Sequence, residues 1–317
     1  MVENKELLNE GVVIRSTGSW YEVRTQSNEI ISCKFKGKFK IAGIKSTNPI
    51  AVGDKVTFIR MKEDGTGVID SIKKRDNYII RKSINLSKQT HIIAANIDHA
   101  FLVITISQPR TSLGFIDRFL LTTEAYHIPV VLVFNKLDLN TSEEQEEQDE
   151  WIEKYKQIGY HSIQSSAIEK DGIDEIKMLM KDGINMFSGH SGVGKSALIN
   201  GIQPGLKLKT AEISISNLKG RHTTTFAEMH PLDFGGYIID TPGIKEFGLV
   251  DFKREDVGGY FPDIKSFMHL CKFNNCLHFN EPQCAVKEAV EAGNIAQSRY
   301  NNYLAIINDD NKNRKPF

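Results

Sequence analysis

The N-terminal quarter of the chain consists of short runs rich in β-branched and aromatic residues. Gly, Asn and Asp separate these runs, as is typical of strands joined by tight turns. The runs occupy residues 12–14, 20–23, 30–31, 55–59 and 67–69. Five short strands within about 70 residues predict a small β-barrel, and the oligonucleotide-binding (OB) barrel is the best candidate.

Residues 34–40 alternate strictly, with the sequence KFKGKFK. In a strand, this pattern places four lysines on one face and two phenylalanines on the other. The lysines can protect an exposed sheet edge from pairing with other chains. They can equally form a face that contacts phosphates, and the pattern leaves both interpretations open.

From about residue 98 the pattern changes to strands that alternate with helices. Strands are predicted at residues 100–106, 129–134, 184–187 and 236–239. A helix is predicted at 114–126, residues 151–157 are expected to end an acidic helix, and residues 196–202 are expected to begin another helix. The apolar runs are typical of buried parallel strands. The alternation predicts an α/β domain with a mostly parallel sheet, in which ligands bind beyond the carboxyl ends of the strands.

After residue 247 the sequence becomes polar and mainly helical. A helix is predicted over residues 287–307 with an interruption near Gly293, and the last nine residues are expected to form a loose tail. We therefore predict three domains: a barrel at 1–82, an α/β domain at 83–247 and a mainly helical, cysteine-containing domain at 248–317.

Charge is distributed unevenly, although the formal net charge is zero. Residues 1–90 contain 17 Lys and Arg against 10 Asp and Glu, while residues 142–153 are strongly acidic. A basic N-terminal part can bind nucleic acid, but it can also be an ordinary solvated surface. No run approaches the roughly 18 apolar residues of a membrane span, and residues 1–10 do not resemble a signal peptide. We expect a cytoplasmic protein with no membrane partner.

A phosphate-binding loop is predicted at residues 189–196. Their sequence, GHSGVGKS, fits the pattern G-x-x-x-x-G-K-[ST] between a strand and a helix. Glycines there let backbone N–H groups converge on phosphate oxygens. Lys195 is expected to reach the β- and γ-phosphates, and Ser196 to bind Mg²⁺. The residues predicted to bind nucleotide here are Gly189, His190, Ser191, Gly192, Val193, Gly194, Lys195, Ser196 and Ala197.

The motif N-K-x-D predicts that the base is guanine. It consists of Asn135, Lys136, Leu137 and Asp138. Guanine presents N1–H and N2–H₂ side by side, so one carboxylate can accept from both groups. Against adenine, Asp138 would remain unpaired, which costs about 1–3 kcal/mol or more. Asn135 can tie this loop to its neighbours.

Three further segments complete the expected site. Asp240 and Gly243 belong to a D-x-x-G motif. Asp240 is expected to hold Mg²⁺ through water, and the Gly243 N–H is expected to sense the γ-phosphate. Thr224, within GRHTTT at residues 220–225, is the preferred hydroxyl ligand of Mg²⁺. The segment expected to support the guanine through backbone N–H groups consists of Ser165, Ser166 and Ala167.

Three cysteines and a histidine lie within 14 residues, in the pattern Cys271-x₄-Cys276-x-His278-x₅-Cys284. Cys₃His is a standard structural zinc set, and four protein ligands leave no open position for catalysis. His269 is a competing imidazole. Cys33 is isolated and is expected to be a small buried hydrophobe.

The order of the motifs is rotated relative to ordinary GTPases, because the base-reading motif precedes the phosphate loop. In this order the chain resembles the circularly permuted GTPases. With its flanking barrel and cysteine cluster, it resembles the ribosome small subunit-dependent GTPases of the RsgA/YjeQ type. The resemblance extends over nearly the whole chain.

The resemblance implies a GTP hydrolase that acts as a switch in late maturation of the small (30S) ribosomal subunit. It implies binding of 16S rRNA, stimulation by the subunit, a monomeric state, and GTP or GDP, Mg²⁺ and one structural Zn²⁺ as cofactors. His278 is the implied fourth zinc ligand. Ile244 occupies the position where Ras-like GTPases carry a Gln that positions the attacking water. The resemblance therefore implies that His222 has this role. With Lys195 and Thr224, it completes the set of candidate catalytic residues.

Two other functions are compatible with parts of the sequence. One is a P-loop kinase or ATPase, but adenine presents no pair of donors to Asp138. A zinc-dependent RNA-binding module with a vestigial nucleotide site would not need Lys195, Ser196 and Asp240. The rotated order also leads the segment after Asp240 directly into the cysteine-containing region, which suggests coupling between nucleotide state and ribosome binding.

Overall fold

A computed structural model describes residues 8–35, 49–82, 90–206, 227–240 and 253–308. The chain forms two compact units. The first takes its described residues from Met1–His99, Leu179–Met186 and Lys207–Ile244, and the second from Ala100–Met178, Phe187–Leu206 and Lys245–Phe317. In the described ranges, none of the helices has the length and apolar character needed to cross a membrane.

The N-terminal strands of the first unit form a closed five-stranded barrel. The strands are β1 (Leu8–Ser16), β2 (Tyr21–Thr25), β3 (Ile30–Phe35), β4 (Lys55–Arg60) and β5 (Gly67–Ile72). They pair in the order β1-β2-β3-β5-β4, and β4 pairs back with β1 to close the barrel. The predicted barrel and its five strands are therefore confirmed.

Alternation along each strand produces the barrel core, because successive side chains point to opposite faces. Val13, Val23 and Phe58 are fully buried there. Cys33 is also fully buried, and burial raises its pKa to about 11, which confirms it as a small buried hydrophobe. Lys34 is exposed, but most of the alternating segment, residues 36–40, lies outside the described residues.

A hairpin that the sequence analysis did not anticipate follows the barrel. It consists of β6 (Tyr78–Lys82) and β7 (Thr90–Ala95), which pair antiparallel. Its end is fixed by two buried asparagines. The Asn77 side chain donates to Ile97 O and accepts from Ile97 N, both at 2.8 Å, and Asn96 Nδ2 donates to Gly53 O at 2.9 Å.

The second unit contains the expected alternation of strands and helices. Its elements are β8 (His99–Ile104), α1 (Leu113–Ala125), β9 (Val130–Asn135), α2 (Ser142–Ile158), β10 (His161–Ser165) and α3 (Ile173–Met180). Strands β8, β9 and β10 pair in parallel, as predicted. The acidic helix α2 begins with a capping box between Thr141 and Glu144.

The chain continues through β11 (Ile184–Ser188) into α4 (Lys195–Ile202). In the first unit, β11 pairs in parallel with β13 (Tyr237–Asp240). The short strand β12 (Glu228–Pro231), also not anticipated, pairs antiparallel with β13 and meets the barrel where Glu228 pairs with Arg15 of β1.

The C-terminal part of the second unit is helical, as predicted. Its helices are α5 (Pro262–Met268), α6 (Ala285–Glu291) and α7 (Gln297–Asn308). The predicted interruption near Gly293 is confirmed, because α6 ends before it and α7 begins after it. The residues between α5 and α6 form a loop that contains the cysteine cluster.

A buried ion network joins α7 to α1 and α5. Arg299 is 1% exposed; its Nη1 donates to Asp117 Oδ1 at 2.7 Å and its Nη2 donates to Asp263 Oδ1 at 2.7 Å. Asp117 also accepts from Asn302 Nδ2 at 2.6 Å and from the Tyr155 hydroxyl at 2.8 Å. Burial alone would lower the pKa of Arg299, but the two carboxylates outweigh it, so the guanidinium remains charged.

Replacement of Arg299 by Met should destabilise the protein, because two buried carboxylates lose their countercharge. We expect Arg299→Met to lower the free energy of unfolding by about 3–5 kcal/mol. Urea denaturation followed by circular dichroism measures this change.

The matched control is Arg60→Met, which removes an exposed ion pair with Glu29. We expect that change to alter the free energy of unfolding by less than about 1 kcal/mol. Equal effects of the two substitutions would show that the buried network has no special importance.

Candidate guanine-nucleotide site and metal centre

The phosphate loop lies between β11 and α4, where atoms from other segments approach it closely. Gly189 has φ 141°, and a Cβ there would lie 2.4 Å from Val103 O. Gly194 has φ 95°, and a Cβ there would lie 2.3 Å from Asn135 Nδ2. Both positions therefore require glycine, for conformation and for space.

Asn135 connects the base-reading motif to the phosphate loop. It is the last residue of β9 and is 1% exposed. Its Nδ2 donates to Val193 O at 2.8 Å, and its Oδ1 accepts from Ser165 Oγ at 3.2 Å. The side chain thus holds three predicted segments of the site together.

Asp138 is oriented by a serine from the 165–167 segment. Ser166 Oγ donates to Asp138 Oδ1 at 2.6 Å and accepts from Glu169 N at 3.1 Å. A carboxylate held in this way can keep its other oxygen for a ligand, since an ionised carboxylate has several acceptor positions. Asp138 therefore retains acceptor positions for N–H donors of a ligand.

The two lysines of the site contact backbone carbonyls. Lys195 Nζ donates to Gly189 O at 2.8 Å and to His190 O at 2.6 Å, so it lies over the phosphate loop. Lys136 has φ 69°, and its Nζ donates to Gln108 O at 2.5 Å. Both ammonium groups are positioned by main-chain dipoles.

His190 packs its ring against Phe115, with 3.9 Å between the ring centroids. Burial, followed by the positive charge of Lys195, lowers the pKa of His190. The imidazole is therefore neutral at neutral pH and does not add charge to the phosphate loop.

The loop after β8 contacts two of the predicted motifs, although no sequence pattern had indicated it. It supplies the carbonyl of Gln108 to Lys136, and Pro109 lies 3.3 Å from where a Cβ on Gly192 would be. No motif identifies these residues. The available signal was their position directly after a buried parallel strand, where ligands bind in such sheets.

The remaining predicted residues are placed only in part. Ser196 and Ala197 are exposed in the first turn of α4, and Asp240 ends β13. His222, Thr224 and Gly243 lie outside the described residues, as does the segment that follows Asp240 toward the cysteine-containing region.

The predicted metal ligands converge in one cluster. One donor atom from each of Cys271, Cys276, His278 and Cys284 lies within 4.8 Å of the others. His278 Nδ1 is 3.5 Å from Cys271 Sγ and 3.4 Å from Cys284 Sγ, and those two sulfurs are 3.9 Å apart. His269 is not in this cluster; it caps the end of α5.

The three separations among Cys271, His278 and Cys284 fit the edges of a tetrahedral metal site. Zn–S bonds of about 2.3 Å and Zn–N bonds of about 2.0–2.1 Å give tetrahedral edges of about 3.8 Å between sulfurs and about 3.6 Å between sulfur and nitrogen. Burial raises the pKa of Cys276 to about 12 and also raises that of Cys284. A bound divalent cation would supply the charge that stabilises the thiolates.

The loop that carries the metal ligands is fixed by its neighbours. The hydroxyl groups of Tyr300 and Tyr303 on α7 donate to His278 O at 2.6 Å and Leu277 O at 2.8 Å. Glu281 accepts from the backbone N–H groups of Leu277 and Phe279 at 2.9 and 2.8 Å. The ligands are therefore held near their binding geometry by the protein itself.

Family models match most of the chain. The RsgA N-terminal domain matches residues 10–69, and the RsgA GTPase matches residues 72–250. The chain is 54% identical over 306 residues to a small ribosomal subunit biogenesis GTPase RsgA of Christiangramia forsetii, covering 96% of this chain and 97% of that protein. A protein of the same name from Bacteroides fragilis is 52% identical over 299 residues, with 94% and 96% covered.

Solved structures show the same similarity. YjeQ from Thermotoga maritima is 36% identical, with a TM-score of 0.81, and the match covers 97% of this chain and 100% of that one. YloQ, described as a circularly permuted GTPase, is 31% identical with a TM-score of 0.77, and 99% and 100% are covered. The chain therefore belongs to the RsgA family of circularly permuted GTPases.

Proposed function

We propose that this GTPase acts as a nucleotide-controlled switch in late maturation of the small (30S) ribosomal subunit. The observation that carries the proposal is the hydrogen-bonded assembly of the base-reading residues with the phosphate loop, through Asn135 and Val193, and with Ser166 through Asp138. Its relatives are named small ribosomal subunit biogenesis GTPases, and these names support the small ribosomal subunit as the particle on which it acts.

Each predicted residue has a role in hydrolysis of the β–γ phosphoanhydride of GTP. Asp138 accepts from the guanine, residues 189–194 bind phosphate oxygens through N–H groups, and Lys195 stabilises charge on the β- and γ-phosphates. Mg²⁺, when bound, neutralises phosphate charge; its proposed ligands are Ser196, Thr224 and Asp240. His222 is proposed to orient the attacking water when the ribosomal partner is bound.

The metal centre is proposed to be structural and to hold one Zn²⁺. Three thiolates and one imidazole are the donor set that zinc favours in closed structural sites. Together with the barrel, this segment is proposed to bind 16S rRNA, and hydrolysis then times release of the protein. We also propose that the protein is monomeric and, since ribosome maturation occurs there, cytoplasmic.

Purified 30S subunits should stimulate GTP turnover. Partner-supplied ordering of catalytic groups raises GTPase rates strongly, so we expect an increase of more than about tenfold. His222→Ala should retain GDP binding and lose the stimulation, as measured by phosphate release. Purified 50S subunits are the control. Unstimulated wild-type turnover would refute the proposed function, and full stimulation of His222→Ala would refute only the role of His222.

Asp138→Asn should change the base preference. Xanthine carries a carbonyl in place of the guanine N2 amine, so an amide donor fits it better than a carboxylate does. We expect GDP affinity to fall by at least about 100-fold and affinity for xanthosine diphosphate to rise, because hydrogen bonds to charged groups contribute about 1.5–3 kcal/mol each. Titrations with fluorescent nucleotides measure both affinities.

The control for that experiment is Asp174→Asn, which removes an exposed carboxylate from the first turn of α3. It should leave both affinities unchanged. A wild-type protein that binds ADP as tightly as GDP would contradict the assignment of Asp138.

Native protein should contain one zinc ion per chain. Cys284→Ser should reduce the zinc content severalfold or more, because a hydroxyl is a much poorer ligand than a thiolate. Elemental analysis by mass spectrometry provides the measurement. Cys33→Ala, which alters a cysteine in the barrel core, should keep full zinc; a metal-free wild type, or full zinc in Cys284→Ser, would rule out this centre.

A further inference from the structure

The loop after β8, residues 105–111, is closed by a pair of buried threonines. Thr105 and Thr111 are 1% and 0% exposed. Thr111 N donates to Thr105 O at 2.9 Å, and Thr105 N donates to Thr111 Oγ1 at 3.2 Å. The Thr105 hydroxyl donates to Pro109 O. Three hydrogen bonds, two of which use a threonine hydroxyl, therefore fix the loop.

The tip of this loop is exposed and contacts two parts of the nucleotide site. Gln108 O accepts from Lys136 Nζ of the base-reading motif at 2.5 Å. Pro109 lies beside Gly192 of the phosphate loop. The threonines are buried at the base of the loop, and the atoms that they position lie at the nucleotide site.

We propose that Thr105 and Thr111 are positioning residues for guanine recognition. Their hydroxyl groups fix the backbone of residues 108 and 109, and the Gln108 carbonyl in turn fixes Lys136 beside Asp138. This inference rests on the proposed role of residues 135–138 in binding the base. It extends the site to residues that belong to none of its sequence motifs.

Loss of either hydroxyl leaves a backbone group of the loop without its partner. In Thr111→Val the buried N–H of Thr105 loses its acceptor, and in Thr105→Val the carbonyl of Pro109 at the tip loses its donor. Each variant lacks a bond that fixes the loop, so the loop should shift to recover a partner for the freed group. The Gln108 carbonyl would move with it, and Lys136 would lose its fixed position.

The experiment measures the preference for GDP over ADP by competition against labelled GDP, using the full-length chain. This preference is the dissociation constant for ADP divided by the dissociation constant for GDP. We expect it to fall by about tenfold in Thr111→Val and in Thr105→Val, which corresponds to about 1.4 kcal/mol. Thr111→Ser keeps the hydroxyl and should restore the ratio to within about twofold of wild type. This ratio is insensitive to the fraction of folded protein, so general destabilisation would not change it.

Thr123→Val is the matched control. Thr123 is 0% exposed in α1, and its hydroxyl donates within the helix, to Phe119 O and Leu120 O. Its ratio should equal that of wild type. If Thr111→Val does not fold, Thr105→Val decides the question.

An unchanged ratio in the folded valine variants, or an equal fall in Thr123→Val, would overturn the inference while the proposed function stands. A wild-type protein with no preference for GDP would instead overturn the proposed function, and this inference with it.

Discussion

The C-terminal part of the second unit depends on one buried cation. The guanidinium of Arg299 lies between Asp117 of α1 and Asp263 of α5, and it stacks 4.6 Å from the centre of the Phe261 ring. Charges in such a site are tolerated only when they are paired and their hydrogen bonds are satisfied. Helices α1, α5 and α7 must therefore pack together in one arrangement.

Helix α7 also holds the loop that carries the cysteine cluster, through residues in the same few turns. Tyr300 and Tyr303 hold the carbonyls of the metal-ligand loop, while Arg299 and Asn302 hold Asp117. Residues three and four apart project from neighbouring positions of a helix, so one short helix can serve both partners. The helix next to the metal centre is thus bonded directly to the helix that follows the 105–111 loop.

The candidate nucleotide site is held together by similar long-range bonds from side chains at, or directly after, the ends of strands. Asn135 reaches a carbonyl 58 residues further along the chain, and Ser166 holds a carboxylate 28 residues before it. Such contacts join separate motifs into one hydrogen-bonded assembly. Preorganised donors and acceptors lose little entropy on binding, which favours affinity and selectivity.

The sequence by itself determined the element types and the chemistry. Short β-branched runs such as 12–14 predicted barrel strands, the apolar run at 100–106 predicted a buried strand, and the spacing of cysteines with His278 predicted a metal site. These signals are local, because periodicity and motif spacing act over a few residues. Short or polar strands such as β6 and β12 carry too little pattern to be predicted in this way.

Only the tertiary structure decided which distant groups meet. Arg299 reads in sequence as an ordinary helical arginine, yet it pairs with a carboxylate 182 residues before it. Thr105 lies near the end of a predicted strand and Thr111 follows in the next loop, and neither belongs to a motif. Both are nevertheless buried at the base of the loop whose Gln108 carbonyl accepts from Lys136. Pairings of this kind depend on how helices and strands pack. A single charged or hydroxyl side chain belongs to no periodic sequence pattern, so the sequence does not reveal its partner.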